Sequence, residues 1–120
     1  VAVAAGLATI EQLNDGIYEA LERIGSEIES RLAGPVAKRG CSLTRVGSMF
    51  TIFFRSEIPY NFMEVSECDM AAFGRYHRAA LSRGIYLPPS QYEAAFLPVC
   101  LGEKEVALLV SAIEASLAVA

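Results

Sequence analysis

The sequence predicts an α+β two-layer domain, a small mainly antiparallel sheet with helices packed on one face. Three observations carry this. Apolar residues recur at helical spacing as Ile17, Leu21, Ile24, Ile28 and Leu32, and again as Val106, Leu109, Val110, Ile113 and Leu117. Between them lie two β-rich runs, residues 41–46 and 49–54, separated only by Gly47-Ser48. The chain's 120 residues, 53% of them apolar, suffice for one core without a disulfide or a metal. Residues 1–120 are therefore read as one domain.

The elements follow in order. Residues 1–10 are apolar on every side of a helix, a pattern normally buried all round. Residues 1–13 are accordingly expected to be a truncated helix, cut from something longer. Asn14-Asp15-Gly16 then supplies capping oxygens for an amphipathic helix carrying favourable i,i+4 pairs, Glu19 with Arg23 and Glu27 with Arg31. Gly34-Pro35 is expected to end or kink it, and Lys38-Arg39-Gly40 to close the stretch. The strand at 49–54 is apolar on both faces, as a central or doubly covered strand is, and Gly47-Ser48 marks a tight turn or a bulge.

Residues 55–65, with charge, proline and asparagine, read as a loop at an interface or an active-site rim. Ser66-Glu67-Cys68-Asp69 has the S-x-x-D spacing of a capping arrangement. Met70, Phe73, His77 and Leu81 then line one helical face up to Gly84, the expected residue after the helix end. A short strand at 85–87 stops at Pro88-Pro89, and a short edge strand is expected within 94–100. Gly102-Glu103-Lys104-Glu105 opens the last helix, its acidic first turn matching the helix dipole.

Composition narrows the function. Fourteen acidic against ten basic residues, without a basic cluster, lack the footprint of a nucleic-acid binder (Asp+Glu 14, Lys+Arg 10). No apolar run approaches the roughly 18 residues needed to cross a bilayer, and no basic leader opens the chain, so a cytoplasmic protein is expected. Cys41, Cys68 and Cys100 are scattered beside a single histidine, His77, without metal-ligand spacing. A Cys–His nucleophilic pair would require folding to bring His77 to a cysteine. Lys38, near a helix end, and Lys104, in a polar first turn, lack the look of desolvated nucleophiles. Ser90-Gln91-Tyr92-Glu93 stands apart: a polar insertion between apolar flanks, held by Pro88-Pro89 and Pro98. Its carboxylate, Glu93, is the candidate functional group, with Ser90, Gln91 and Tyr92 shaping the loop.

Three strings carry a resemblance. Residues 45–54 (R-V-G-S-M-F-T-I-F-F), 83–87 (R-G-I-Y-L) and above all 89–96 (P-S-Q-Y-E-A-A-F) resemble the C-terminal domain of glutamate-1-semialdehyde 2,1-aminomutases, of the class III aminotransferase family. Ala95 and Leu101-Gly102 depart from the family pattern of a glycine and a His-Thr pair. The resemblance implies a fold type I pyridoxal-phosphate enzyme, a homodimer, that moves an amino group from C2 to C1 of glutamate 1-semialdehyde for tetrapyrrole synthesis. It implies that the Schiff-base lysine and the phosphate-binding groups lie in a large domain preceding this segment. It places Glu93 near the reacting amino groups. This chain would then carry no catalytic or cofactor-binding residue of its own, and Glu93, Ser90, Gln91 and Tyr92 would form a substrate-facing wall. Two alternatives remain: the C-terminal domain of another class III aminotransferase, and a non-catalytic module that binds a small molecule.

Overall fold

The computed structural model describes residues 1–120. The elements run α1 (Ala2–Gln12), α2 (Asp15–Lys38), β1 (Ser42–Val46), β2 (Met49–Phe53), α3 (Phe62–Ser66), α4 (Met70–Ser82), β3 (Ala95–Phe96) and α5 (Glu103–Leu117). The three strands form one antiparallel sheet in the order β1-β2-β3, with β2 central. Its register pairs Leu43 with Ile52, Arg45 with Phe50, and Phe50 with Ala95. Strand alternation therefore turns Phe50, Ile52 and Phe54 to one face, where they join Ile28, Leu32 and Val36 of α2, Tyr76 of α4, and Ile113 and Leu117 of α5 in one core. Helix α5 packs against both α2 and α4. Its expected stripe, Val106, Leu109, Val110, Ile113 and Leu117, is buried throughout.

Helix ends follow local chemistry. Asn14 caps α2, its side chain accepting from Ile17 N–H at 3.2 Å. Gly40 and Gly84, at φ +66° and +80°, end α2 and α4 in the left-handed conformation. In both cases the glycine N–H and the next N–H fold back on the last turn: Gly40 to Ala37 O and Cys41 to Val36 O, Gly84 to Leu81 O and Ile85 to Ala80 O. The predicted role of Gly84 is borne out. Gly47, at φ +57°, makes the β1–β2 connection a tight turn.

Several expectations are corrected. Of the end or kink expected at Gly34-Pro35, the end is overturned: α2 runs on to Lys38 with Pro35 inside it, one intrahelical bond short. Helix α1 forms, yet buries no residue in this chain, although its pattern is that of an all-round buried helix. The stretch 55–65 is not all loop: Asn61 caps α3, accepting from Glu64 N–H at 3.0 Å, and the Glu64 carboxylate accepts in return from the Asn61 side chain at 2.7 Å. Helix α4 starts later than Ser66, because Asp69 is its cap and accepts from Ala72 N–H at 2.9 Å. Its buried stripe is Ala72, Tyr76 and Ala80, whereas Met70 and Leu81 are exposed. Small residues let α4 approach α5 closely and Tyr76 fills the core, so the helix is rotated from the face chosen by apolarity alone. Residues 85–87 pair with no strand, and the edge strand within 94–100 shrinks to Ala95–Phe96. Pro98 ends it, having no N–H to give to a ladder.

Partly buried Arg45 ties α2 to the hairpin. Its guanidinium donates to Glu22 (2.8 and 3.0 Å), Glu29 (2.8 Å) and the Gly47 carbonyl (2.9 Å). These hydrogen bonds hold the Glu22 carboxyl below the usual carboxylate range and raise the already high pKa of Arg45. The approach is possible because residue 25 is glycine. A Cβ there would run into the Gly47 carbonyl oxygen and stand 3.1 Å from Arg45 Cδ.

Candidate functional site

Continuing the β2–β3 register beyond Phe50–Ala95 would set Glu93 opposite Ile52 and Gln91 opposite Phe54. The backbone instead leaves the sheet before Ala95, and residues 90–93 make a turn. Ser90 organises it: its carbonyl accepts from Glu93 N–H at 3.2 Å and its Oγ from Tyr92 N–H at 3.2 Å. Gln91 points inward and is 2% exposed. Its Nε2 donates to Ile52 O at 2.8 Å, and its Oε1 accepts from Phe54 N–H at 3.3 Å. A carbonyl can only accept and an N–H can only donate, so this pairing fixes which way the carboxamide faces. Tyr92 stacks on Phe62 of α3, ring centroids 4.8 Å apart at 24°.

Glu93 itself is exposed. Its main-chain oxygen accepts from Thr51 Oγ1 at 3.5 Å, while its carboxylate makes no hydrogen bond and no ion pair. With Ser90 it borders a cleft of about 30 Å³, beside Thr51, Phe73, Tyr76, Leu87, Pro88 and Ala95. That volume is about one water molecule's share of the liquid, too small for an organic substrate. A complete pocket therefore needs a second surface over the loop. Within this chain the Glu93 carboxylate faces water, so any shielding of it from solvent also depends on that surface.

The other candidates lie elsewhere. His77 Nε2 meets Leu87 O at 3.0 Å, which places the proton on Nε2, and its ring packs near Phe73. No cysteine bonds to it: Cys41 Sγ donates to Arg39 O and Cys68 Sγ to Glu64 O. Burial pushes both of these thiols up in pKa, away from nucleophilic character. Cys100 is exposed. No three His, Cys, Asp or Glu side chains converge on a point, and no helix is long and apolar enough to cross a membrane. Thr51 and Phe62 were missed as partners of the loop. The N-x-x-E spacing of Asn61 and Glu64 could have revealed the helix that carries Phe62.

No family model matches the chain. Curated relatives do. It is 40% identical over 120 residues to the glutamate-1-semialdehyde 2,1-aminomutase of Sorangium cellulosum, covering 98% of this chain and 28% of the relative. It is 44% identical over 111 residues to that of Methanoregula boonei, covering 91% of this chain and 26% of the relative. The chain matches the C-terminal region of the glutamate-1-semialdehyde 2,1-aminomutases. It spans little more than a quarter of the length of these relatives.

The fold agrees with the aminomutase match. An omega-transaminase from Sphaerobacter thermophilus superposes with a TM-score of 0.78 at 24% identity, over 96% of this chain and 27% of that one. A transaminase with PLP bound gives 0.76 at 20% identity, over 94% of this chain and 26% of the other. Neither lysine of this aminomutase-like domain is placed at the Glu93 loop to hold pyridoxal phosphate, the group present in the second of these neighbours. Lys38 and Lys104 are both exposed, at the last turn of α2 and the first turn of α5. Neither borders the Glu93 cleft.

Proposed function

We propose that this chain acts as the C-terminal domain of a pyridoxal-phosphate-dependent glutamate-1-semialdehyde 2,1-aminomutase, forming one wall of the active site. The reaction turns glutamate 1-semialdehyde into 5-aminolevulinate for tetrapyrrole synthesis in the cytoplasm. The enzyme is a homodimer, with the cofactor and its lysine held by a large domain beyond these residues. The observation that carries the reading is the 40% and 44% identity to curated aminomutases over more than nine-tenths of this chain; within it the Glu93 carboxylate has no partner, while the Tyr92 and Glu93 N–H groups are bonded by Ser90. A carboxylate serving only its own turn would accept those N–H bonds.

Covered by a second surface, that anion would attract the ammonium end of the substrate and repel its carboxylate end, so that the molecule lies one way round. An arginine of the covering domain is the other cation it could take. Tyr92 and Ser90 set the loop's shape; Glu93 is not assigned proton transfer. In the complete enzyme Glu93→Gln keeps size and removes charge. A charge-assisted hydrogen bond is worth about 1.5–3 kcal/mol, so kcat/KM should fall roughly 10- to 100-fold with the fold unchanged. Unaltered kcat, KM and intermediate release would defeat the assignment. Turnover that demands an external amino acceptor would point to another class III aminotransferase, the reading that the transaminase fold neighbours favour.

A further inference from the structure

The sheet is incomplete along one edge. On the side of β2 that faces away from β1, Ser48 O is bonded by Leu97 N–H and Phe50 is paired with Ala95. Farther along the same edge stand Ile52 C=O and Phe54 N–H. In a continued antiparallel ladder two residues of the third strand would satisfy them, the one opposite Ile52 with its N–H and the one opposite Phe54 with its C=O. No main chain reaches them. The Gln91 carboxamide does, donating to Ile52 O at 2.8 Å and accepting from Phe54 N–H at 3.3 Å. One side chain thus supplies the donor and the acceptor that two strand residues would otherwise give, while the backbone at 90–93 bulges away from the sheet with Glu93 on it.

We propose that Gln91 is a positioning residue: its carboxamide, standing in for absent main-chain partners of Ile52 and Phe54, fixes the Glu93 loop against β2. The proposal deepens the reading of Glu93 above and rests on it for its catalytic consequence. Gln91 lies beneath the loop and is sealed from solvent, so it acts through Glu93 and does not meet substrate. Two further ties limit what motion remains, Thr51 Oγ1 on the Glu93 carbonyl and the Tyr92–Phe62 stack. Both are on the surface. The Gln91 bonds alone are buried, where an unsatisfied donor and acceptor are hardest to tolerate.

The test uses the complete enzyme with Gln91→Met, which keeps the length and removes both bonds, and Gln91→Asn, which keeps a carboxamide too short to reach both groups. Hydrogen exchange reads the tether directly, because the Phe54 amide is the group that Gln91 covers. The expected result is at least about tenfold faster exchange at Phe54, Tyr92 and Glu93, with amides of the β1–β2 ladder and α5 changed less than about threefold. Unchanged exchange at Phe54, or equal acceleration throughout the domain, would overturn the proposal. Kinetics read the consequence: kcat should fall about tenfold in Gln91→Met, but less than about twofold when the same change is added to Glu93→Gln. An equal loss in both backgrounds would show that Gln91 acts independently of Glu93 and defeat its positioning role. Should Glu93→Gln alone leave turnover intact, the reading of Glu93 fails, and the exchange pattern still decides the tether by its own criterion.

Discussion

Gly25→Ala sets two physical effects against each other in one residue. In an exposed helix interior alanine is favoured over glycine by about 1 kcal/mol, which alone would raise the melting temperature. Gly25 is buried, however, and the added Cβ would overlap the Gly47 carbonyl oxygen and lie 3.1 and 3.2 Å from Arg45 Cδ and Nη1. Backbone cannot swing aside as a side-chain tip can, so α2 and the β1–β2 turn must separate. Overpacking of this kind costs about 1–3 kcal/mol, and loosening the guanidinium from Glu22, Glu29 and Gly47 adds about 1–2 kcal/mol. The net effect is a loss of about 1–4 kcal/mol, or a melting temperature lower by roughly 4–20 °C in a domain of this size. Urea titration followed by circular dichroism, with calorimetry, measures it on the 120-residue chain. Gly34→Ala is the matched control in the same helix, since its Cβ would meet nothing within 4 Å. It should stabilise by about 0.5–1 kcal/mol. A Gly25→Ala protein as stable as the parent would refute the close approach of helix and turn.

Arg45→Met should flatten the acid limb of stability. The Glu22 carboxyl is lowered by Arg45 from an ordinary value of 4.5, so its contribution is complete above pH 4.5 and is lost as the pH falls through the lower folded value. Urea midpoints at pH 7, 4 and 3 should therefore converge less steeply in the variant than in the parent, and parallel curves would contradict this. Asp69→Ala removes the cap of α4 and should cost about 1 kcal/mol in the same titration; no change would deny the cap its role. Iodoacetamide at pH 8 should label Cys100 quickly and Cys41 and Cys68 only after unfolding, as read by mass spectrometry. Equal labelling of all three in native protein would contradict their burial. The isolated chain should show no saturable visible absorbance with pyridoxal phosphate that depends on Lys38 or Lys104; such absorbance would place cofactor chemistry here.

Long periodic segments were legible in the sequence, short ones were not. The α5 stripe and the two strands around Gly47-Ser48 announce themselves because each repeats one physical demand several times. Gly84 was legible too, since a helix end at positive φ favours glycine. Helix α4 misled because Met70 and Leu81 are more apolar than Ala72 and Ala80, yet close helix packing prefers the smaller residues. Residues 85–87 look like a strand in isolation, but a strand is defined by its partner, and the third-strand position is filled by Ala95–Phe96 and a side chain. The turn around Glu93 could be found from its prolines and polar insertion. The inward face of Gln91 could not, because nothing local distinguishes a glutamine that faces a sheet edge from one that faces water.

The two edges of this small sheet are also guarded against other molecules, each by a single polar side chain. An exposed strand edge with free N–H and C=O groups is a template on which a foreign strand can add, the first step of aggregation. On the β2 side the open pair at Ile52 and Phe54 is closed by Gln91. On the β1 side the edge strand carries an inward-turned cation, Arg45, held by two carboxylates of α2, and a foreign strand that reset the register would strand this charge among apolar groups. Loss of either residue would thus expose the sheet as well as loosen the fold, and the first symptom in a cell would be insoluble protein.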